Sequence, residues 1–194
     1  MSAPLVVLAP LSLRLGRRQR YAAAREARAE ALRSAAELRG APRALPCEDW
    51  PADEAGAPRP VRGWHASFSD THGLALAGLA RGPFAVDAEW LGRPRIEAAR
   101  ARFTESGELA TMGTDDAAAV LALWTAKEAV LKLAGVGIAD LARCPLVARE
   151  GDVLRVQHGG ALHAVRLHVH GAHVIACAGE GALATELHAP QGVA

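Results

Sequence analysis

Apolar and polar positions alternate along this chain with two different periods, and the switches between them mark the predicted elements. Leu5–Leu8 is a short apolar run closed by Pro10, which predicts a first strand. From about Gln19 to Leu38 the chain is rich in Ala, Arg and Glu, with Tyr21, Ala24, Leu32 and Leu38 as apolar markers. Gly40 and Pro42 follow, so this stretch predicts a helix with a basic start. Residues 40–63 are dense in Pro and Gly, carry Cys47 and Trp50, and read as an irregular connection. Trp64–Ser69 then alternates, Leu74–Ala80 is apolar, Arg81-Gly82-Pro83 turns, and Phe84–Trp90 alternates again. The last two of these strands are expected to pair as a hairpin. Helical signals return at Ile96–Arg102, and Asp115 or Asp116 suits the cap of a long helix through Leu133, closed by Gly135 and Gly137. Val153–Gln157, Leu162–His170 and His173–Ala178 predict three more strands, turning at Gly159-Gly160 and Gly171. The last ten or so residues look frayed.

That order, β, α, β-hairpin, then α, α, β-meander, predicts an α+β fold of two comparable halves, residues 1–83 and 84–194. Each half holds a His-Gly phrase before an apolar strand: His72-Gly73 before the strand ending at Gly82, and His170-Gly171 before the one ending at Gly181. The repetition favours two similar lobes related by a pseudo-twofold axis.

Composition narrows the partners. In 194 residues, 51% are hydrophobic and 22% charged, a globular balance, and the formal net charge of +1 argues against a nucleic-acid binder. No apolar run reaches the ~18 residues that span a bilayer, and the N-terminus reads apolar before basic, the reverse of a signal peptide. Cys47, Cys144 and Cys177 form no close pair, which suits reduced thiols in a cytoplasmic protein. Of the 22 basic residues only Lys127 and Lys132 are lysines, and they lie within six positions of each other. A lysine amine is tunable where an arginine is not, so the pair suggests a need for an amine there.

Asp87 and Glu89, two apart on a predicted strand, leave from one face, while Phe84, Val86 and Ala88 point to the other. Adjacent carboxylates repel unless a cation lies between them, and hard oxygens suit Mg²⁺, although the same spacing also fits a polar strand end. Trp124, Glu128 and Lys132 share one stripe of the long helix at i, i+4 spacing. A Glu–Lys pair there is either an ordinary ion pair or, with the large Trp124 beside it, an acid–base pair on a partly buried face. Trp64–Gly73 gathers hydroxyls, His65 and His72 at a strand end, suited to phosphate or simply to a turn. Arg17, Arg18, Arg20, Arg25, Arg28 and Arg59 offer guanidinium groups to the same region.

Taken together, Phe84-Ala85-Val86-Asp87-Ala88-Glu89, Trp124-Thr125-Ala126-Lys127-Glu128-Ala129-Val130-Leu131-Lys132 and Gly135-Val136-Gly137 resemble the 4′-phosphopantetheinyl transferase superfamily, in particular its two-lobed, Sfp-like branch. The resemblance runs from about Arg59 to Ile138. It implies an active site in the cleft between two lobes and transfer of phosphopantetheine from coenzyme A to a serine of an acyl or peptidyl carrier protein. Such carriers serve fatty-acid, polyketide or nonribosomal peptide synthesis. By the same resemblance Asp87, Glu89 and Glu128 hold Mg²⁺ (or Mn²⁺), Glu128 acts as base, and Lys132 assists the leaving 3′,5′-ADP. Arg25, Arg59, Ser69, Asp70, His72, Lys127 and Lys132 are the expected coenzyme contacts, in a monomer.

One departure stands out. Ser69-Asp70 occupies the place of the family's Ser-His pair, and an aspartate there repels a phosphate unless His72 substitutes. A catalytically impaired relative that still binds carrier proteins or nucleotides is therefore the rival expectation. An unrelated Mg²⁺ phosphohydrolase is a second rival, and would release phosphate without a carrier.

Overall fold

A computed structural model describes residues 3–12, 17–94 and 96–189; the Arg17 and Arg18 side chains lie outside that description. Alternating side chains sort the described strands onto two sheets. In the first, β1 (Leu5–Pro10), β2 (His65–Thr71), β3 (Leu74–Ala80) and β9 (Glu186–His188) lie in the order β2-β3-β1-β9. In the second, β4 (Phe84–Trp90), β5 (Leu146–Glu150), β6 (Val153–His158), β7 (Ala161–His170) and β8 (His173–Gly179) lie in the order β4-β8-β7-β6-β5. The helices are α1 (Arg17–Leu38), α2 (Ile96–Ala99), α3 (Glu108–Met112) and α4 (Ala117–Ala134). The mixed α+β class read from the sequence is the one observed.

Three apolar clusters give the layering. Leu5 and Val7 of β1 with Ala77 and Leu79 of β3 face Ala31, Leu32 and Ala35 of α1. The alternate residues Val6, Leu8, Leu74 and Leu76 face Phe84, Val86, Ala88, Ile175 and Cys177 of the second sheet. On that sheet's other side, Val174, Ala176 and Ala178 pack against Val120, Leu123 and Val130 of α4. The sheets are thus sandwiched between α1 and α4, each burying one face against a helix and one against the other sheet. Gly78 is what lets the sheets close, because a Cβ there would sit 2.5 Å from the Phe84 ring.

Two sequence expectations change. β3 and β4 are not a hairpin: β3 pairs with β1 and β2, and β4 pairs with β8. The Arg81-Gly82-Pro83 turn instead carries the chain from one sheet to the other, since Phe84, Val86 and Ala88 bury against the first sheet's face and not beside its edge. Within the segment expected to be frayed, Glu186–His188 pairs in parallel with β1, and Leu187 packs on the inter-sheet core. Residues 190–194 lie outside the described residues. Short β5 and α3 carried too few periodic positions to be read.

Lys127, expected to contact the coenzyme, is also corrected. Its side chain is fully buried, and Nζ donates to Phe103 O at 2.6 Å and pairs with Glu108 at 2.8 Å. Glu108 in turn accepts from the backbone N–H groups of Glu105 and Leu146. One position before Glu128 on α4, Lys127 points about 100° away around the helix, into the core that ties α3 and β5 to α4. Removing one member of a buried pair strands the other charge, so Lys127→Met is expected to cost about 3–5 kcal/mol. The double variant Lys127→Met/Glu108→Gln, which removes both charges but keeps an acceptor for the buried N–H groups, should recover part of that loss in urea unfolding. A single-variant loss below about 1 kcal/mol would contradict this structural role.

Candidate active site

The site is built where an edge strand meets a helix stripe. Because Phe84, Val86 and Ala88 face the first sheet, Asp87 and Glu89 face α4. Asp116 caps α4 by accepting from Ala119 N–H at 2.8 Å, and Gly135, at φ 69°, closes it. That register turns Trp124, Glu128 and Lys132 toward β4. Asp87, Glu89 and Glu128 each bring a carboxylate oxygen within 4.8 Å of the others.

β4 is the edge of its sheet, so one row of its N–H groups finds no strand partner. The hydroxyls of β2 fill that role. Ala66 and Phe68 face α1, which turns Ser67, Ser69 and Thr71 toward β4. Val86 N–H donates to Ser67 Oγ at 2.9 Å, Ala88 N–H to Ser69 Oγ and Trp90 N–H to Thr71 Oγ1, both at 3.2 Å. Two of the hydroxyls then donate onward, Ser69 to Asp87 Oδ1 at 2.9 Å and Thr71 to Glu89 Oε2 at 3.3 Å. The first sheet therefore orients two carboxylates carried by the second. Thr71 was not read as a site residue, although Ser67, Ser69 and Thr71 repeat with the same period of two as Asp87 and Glu89.

Lys132 bridges the same seam. Its Nζ donates to Asp87 Oδ1 at 2.6 Å, to Phe68 O at 3.2 Å and to Val86 O at 3.3 Å. Asp87 is 3% exposed, and its Oδ2 has no hydrogen-bond partner among the described residues. An unpartnered buried carboxylate oxygen is costly, and here it belongs to a cluster of three carboxylates. The donor set is all hard oxygen, which fits Mg²⁺ or Mn²⁺.

Beside this cluster lies a cleft of about 590 Å³ lined by Arg28, His65, Phe68, Phe84, Lys132 and Val136. It adjoins a hollow of about 290 Å³ that shares Arg28 and Phe68 and adds Arg25 and Trp50. Of the other expected contacts, Asp70 and His72 line a separate hollow of about 320 Å³ with Arg20, and the rest lie apart. Ser69 is buried on Asp87 rather than turned to the cleft, and Asp70 is paired with Arg28 at 3.0 Å. Arg25 pairs with Asp49 at 2.5 Å. Arg59 is exposed, and its carbonyl accepts from Trp50 Nε1. His72 stacks on Trp90 with ring centroids 4.3 Å apart.

Burial, reinforced by the neighbouring Asp87 carboxylate and opposed by the Lys132 ammonium, pushes the Glu128 carboxyl up to about 7. The folded chain therefore holds a proton that the unfolded chain has already lost above its ordinary value of 4.5. Stability of the metal-free protein should accordingly fall as pH rises from 4.5 through about 7. Thermal unfolding in chelator across that range should show the decline, and Glu128→Gln should flatten it. An unchanged slope in the variant would remove Glu128 as its source. Added Mg²⁺ should stabilise more at pH above this window than within it, because the ion competes with the proton.

Comparison with known families gives a match. No curated protein matches the chain. A family model of the 4′-phosphopantetheinyl transferase superfamily matches residues 83–178, beginning later than the motif resemblance and continuing through the β6–β8 meander. Asp87, Glu89, Glu128 and Lys132 all fall within the match. Residues 83–178 are thus a domain of the 4′-phosphopantetheinyl transferase superfamily, and its carboxylate cluster is the one completed by β2.

Proposed function

We propose that this protein transfers the 4′-phosphopantetheine group from coenzyme A to a serine of an acyl or peptidyl carrier protein, with Mg²⁺, as a two-lobed, Sfp-like member of its superfamily. Superfamily members act on coenzyme A and carrier proteins. The observation that carries the reading for this chain is Asp87 Oδ2, buried and unpartnered among the described residues within a three-carboxylate cluster beside the cleft. The proposed lobes are residues 1–83 and 84–194, with β9 of the second crossing back to pair with β1 of the first, and we propose a cytoplasmic monomer, since a two-lobed chain supplies both walls of its cleft. Among the described residues, no helix is long and apolar enough to cross a membrane.

In the proposed reaction the carrier serine Oγ forms a bond to the phosphorus nearest the pantetheine. The bridging P–O bond breaks, and 3′,5′-ADP leaves with the electron pair. Asp87, Glu89 and Glu128 would hold Mg²⁺, whose charge, when bound, neutralises the diphosphate. Glu128 takes the serine proton directly or through water, its carboxyl kept ionised for that task by the ion that it helps to hold. Lys132, with its ammonium fixed by Asp87 and two backbone carbonyls, stands at the cleft to stabilise the departing phosphate. Arg28 and Arg25, on the cleft and its side hollow, suit the coenzyme's remaining phosphate. Arg28 already compensates Asp70, so the aspartate is not an isolated negative charge facing a phosphate.

Intact mass of apo carrier proteins after incubation with this protein, coenzyme A and Mg²⁺ tests the reading. One added phosphopantetheine group is expected, lost with chelator and slowed about 10²-fold or more by Glu128→Gln. Coenzyme A binding without transfer across a carrier panel would favour the impaired, ligand-binding relative. Phosphate release without a carrier would favour a hydrolase.

A further inference from the structure

Arg93 lies just beyond the carboxylate strand, in a segment to which the sequence assigned no chemistry. The chain turns sharply after β4. Arg93 N–H donates to Trp90 O at 2.9 Å, and Pro94 follows, which disfavours helix at Arg93. Gly92 makes the turn possible, because a Cβ there would lie 2.3 Å from the Trp90 ring. The result sends Arg93 back along the strand it has just left. Its guanidinium pairs with Glu89, and Cζ sits 4.7 Å from the centroid of the Trp124 ring. Trp124 belongs to the α4 stripe that carries Glu128 and Lys132. Arg93 therefore spans the two elements of the site, held at one end by a carboxylate of the cluster and on its face by an aromatic ring.

The arrangement has an electrostatic consequence. Two fixed cations stand among the three carboxylates, Lys132 on Asp87 and Arg93 on Glu89. Three formal negative charges against two positive ones leave a deficit of one, so a divalent ion turns the whole cluster positive. Without Arg93, the same ion would only bring it to neutrality. A cluster with a single net negative charge attracts a lone divalent ion only weakly yet becomes positive once the ion is seated, which favours ion and polyphosphate arriving together.

Resting on the metal-site reading above, we propose that Arg93 is a positioning residue that orients Glu89 and makes binding of the divalent ion depend on a diphosphate group. The guanidinium does not reach the reacting atoms. It acts through Glu89, with Thr71 holding that carboxylate's other oxygen.

The test is Mn²⁺ binding to the full chain at pH 8, followed by electron paramagnetic resonance, with and without inorganic pyrophosphate. Wild-type protein should bind Mn²⁺ alone weakly and bind it more tightly with pyrophosphate. Arg93→Met keeps an apolar stem against Trp124 and should bind Mn²⁺ alone about three- to tenfold more tightly, while the gain from pyrophosphate shrinks. Arg93→Lys restores the charge and should return metal affinity toward wild type. Circular dichroism and thermal unfolding establish that each variant is folded, and Thr71→Val, which loosens Glu89 without changing charge, gives a second readout by weakening Mn²⁺ binding. Wild-type and Arg93→Met affinities that agree, alone and with pyrophosphate, would overturn the role of Arg93 and leave the metal site standing. Absence of Mn²⁺ binding to wild type under both conditions would overturn the metal site and this proposal with it.

Discussion

Everything at the site depends on how one free strand edge is satisfied. β4 has β8 on one side only, and a buried row of N–H groups on its other side would cost several kcal/mol if left unpaired. A further strand would satisfy them but would cover the edge. Ser67, Ser69 and Thr71 do so with side chains, which leaves room between β2 and β4 and gives each hydroxyl a proton to donate. Ser69 and Thr71 spend that proton on Asp87 and Glu89. One set of contacts thereby joins the two sheets and aims two carboxylates. Lys132 reinforces the seam from α4 by bonding to a carbonyl of each strand.

The seam also explains how like charges come to be packed together. Asp87 is buried between a hydroxyl and an ammonium on one oxygen, with its second oxygen left without a partner among the described residues. Glu89 is braced by Thr71 and Arg93. Glu128, buried beside the Asp87 carboxylate, retains its proton to about 7. Such a cluster is held by packing around it rather than by mutual attraction, and a cation is the natural completion. The other lysine of the helix serves the core instead: Lys127 ties α3 and β5 to α4 from inside, while Lys132 lies at the seam.

Much of this was legible in the sequence because it is periodic. Alternation in Phe84–Trp90 told which face Asp87 and Glu89 share, and i, i+4 spacing put Trp124, Glu128 and Lys132 on one stripe. What periodicity could not tell was partnership. Nothing local distinguishes Lys127 from Lys132, because the difference lies in Glu108, nineteen residues upstream of Lys127 on a helix too short to read. A Gly-Pro turn between two strands predicts a β3–β4 hairpin, yet β4 pairs at its edge with β8 and lays Phe84, Val86 and Ala88 face-on against β1 and β3. Glu186–His188 is a strand only because β1 has a free edge for it. Arg93 acquires meaning from a turn, and Thr71, though in period with Ser67 and Ser69, from a strand edge that spacing alone does not reveal.

On the proposed reading Asp87, Glu89 and Glu128, oriented across the seam, form one divalent-metal site. Anomalous scattering from crystals grown with Mn²⁺ and coenzyme A tests it most directly. A single strong peak bonded to oxygens of all three carboxylates, with the diphosphate on its open side and the Ser69 and Thr71 hydroxyls still on their carboxylates, is the expected result. Manganese bound elsewhere, or an empty cluster with the coenzyme in place, would contradict it.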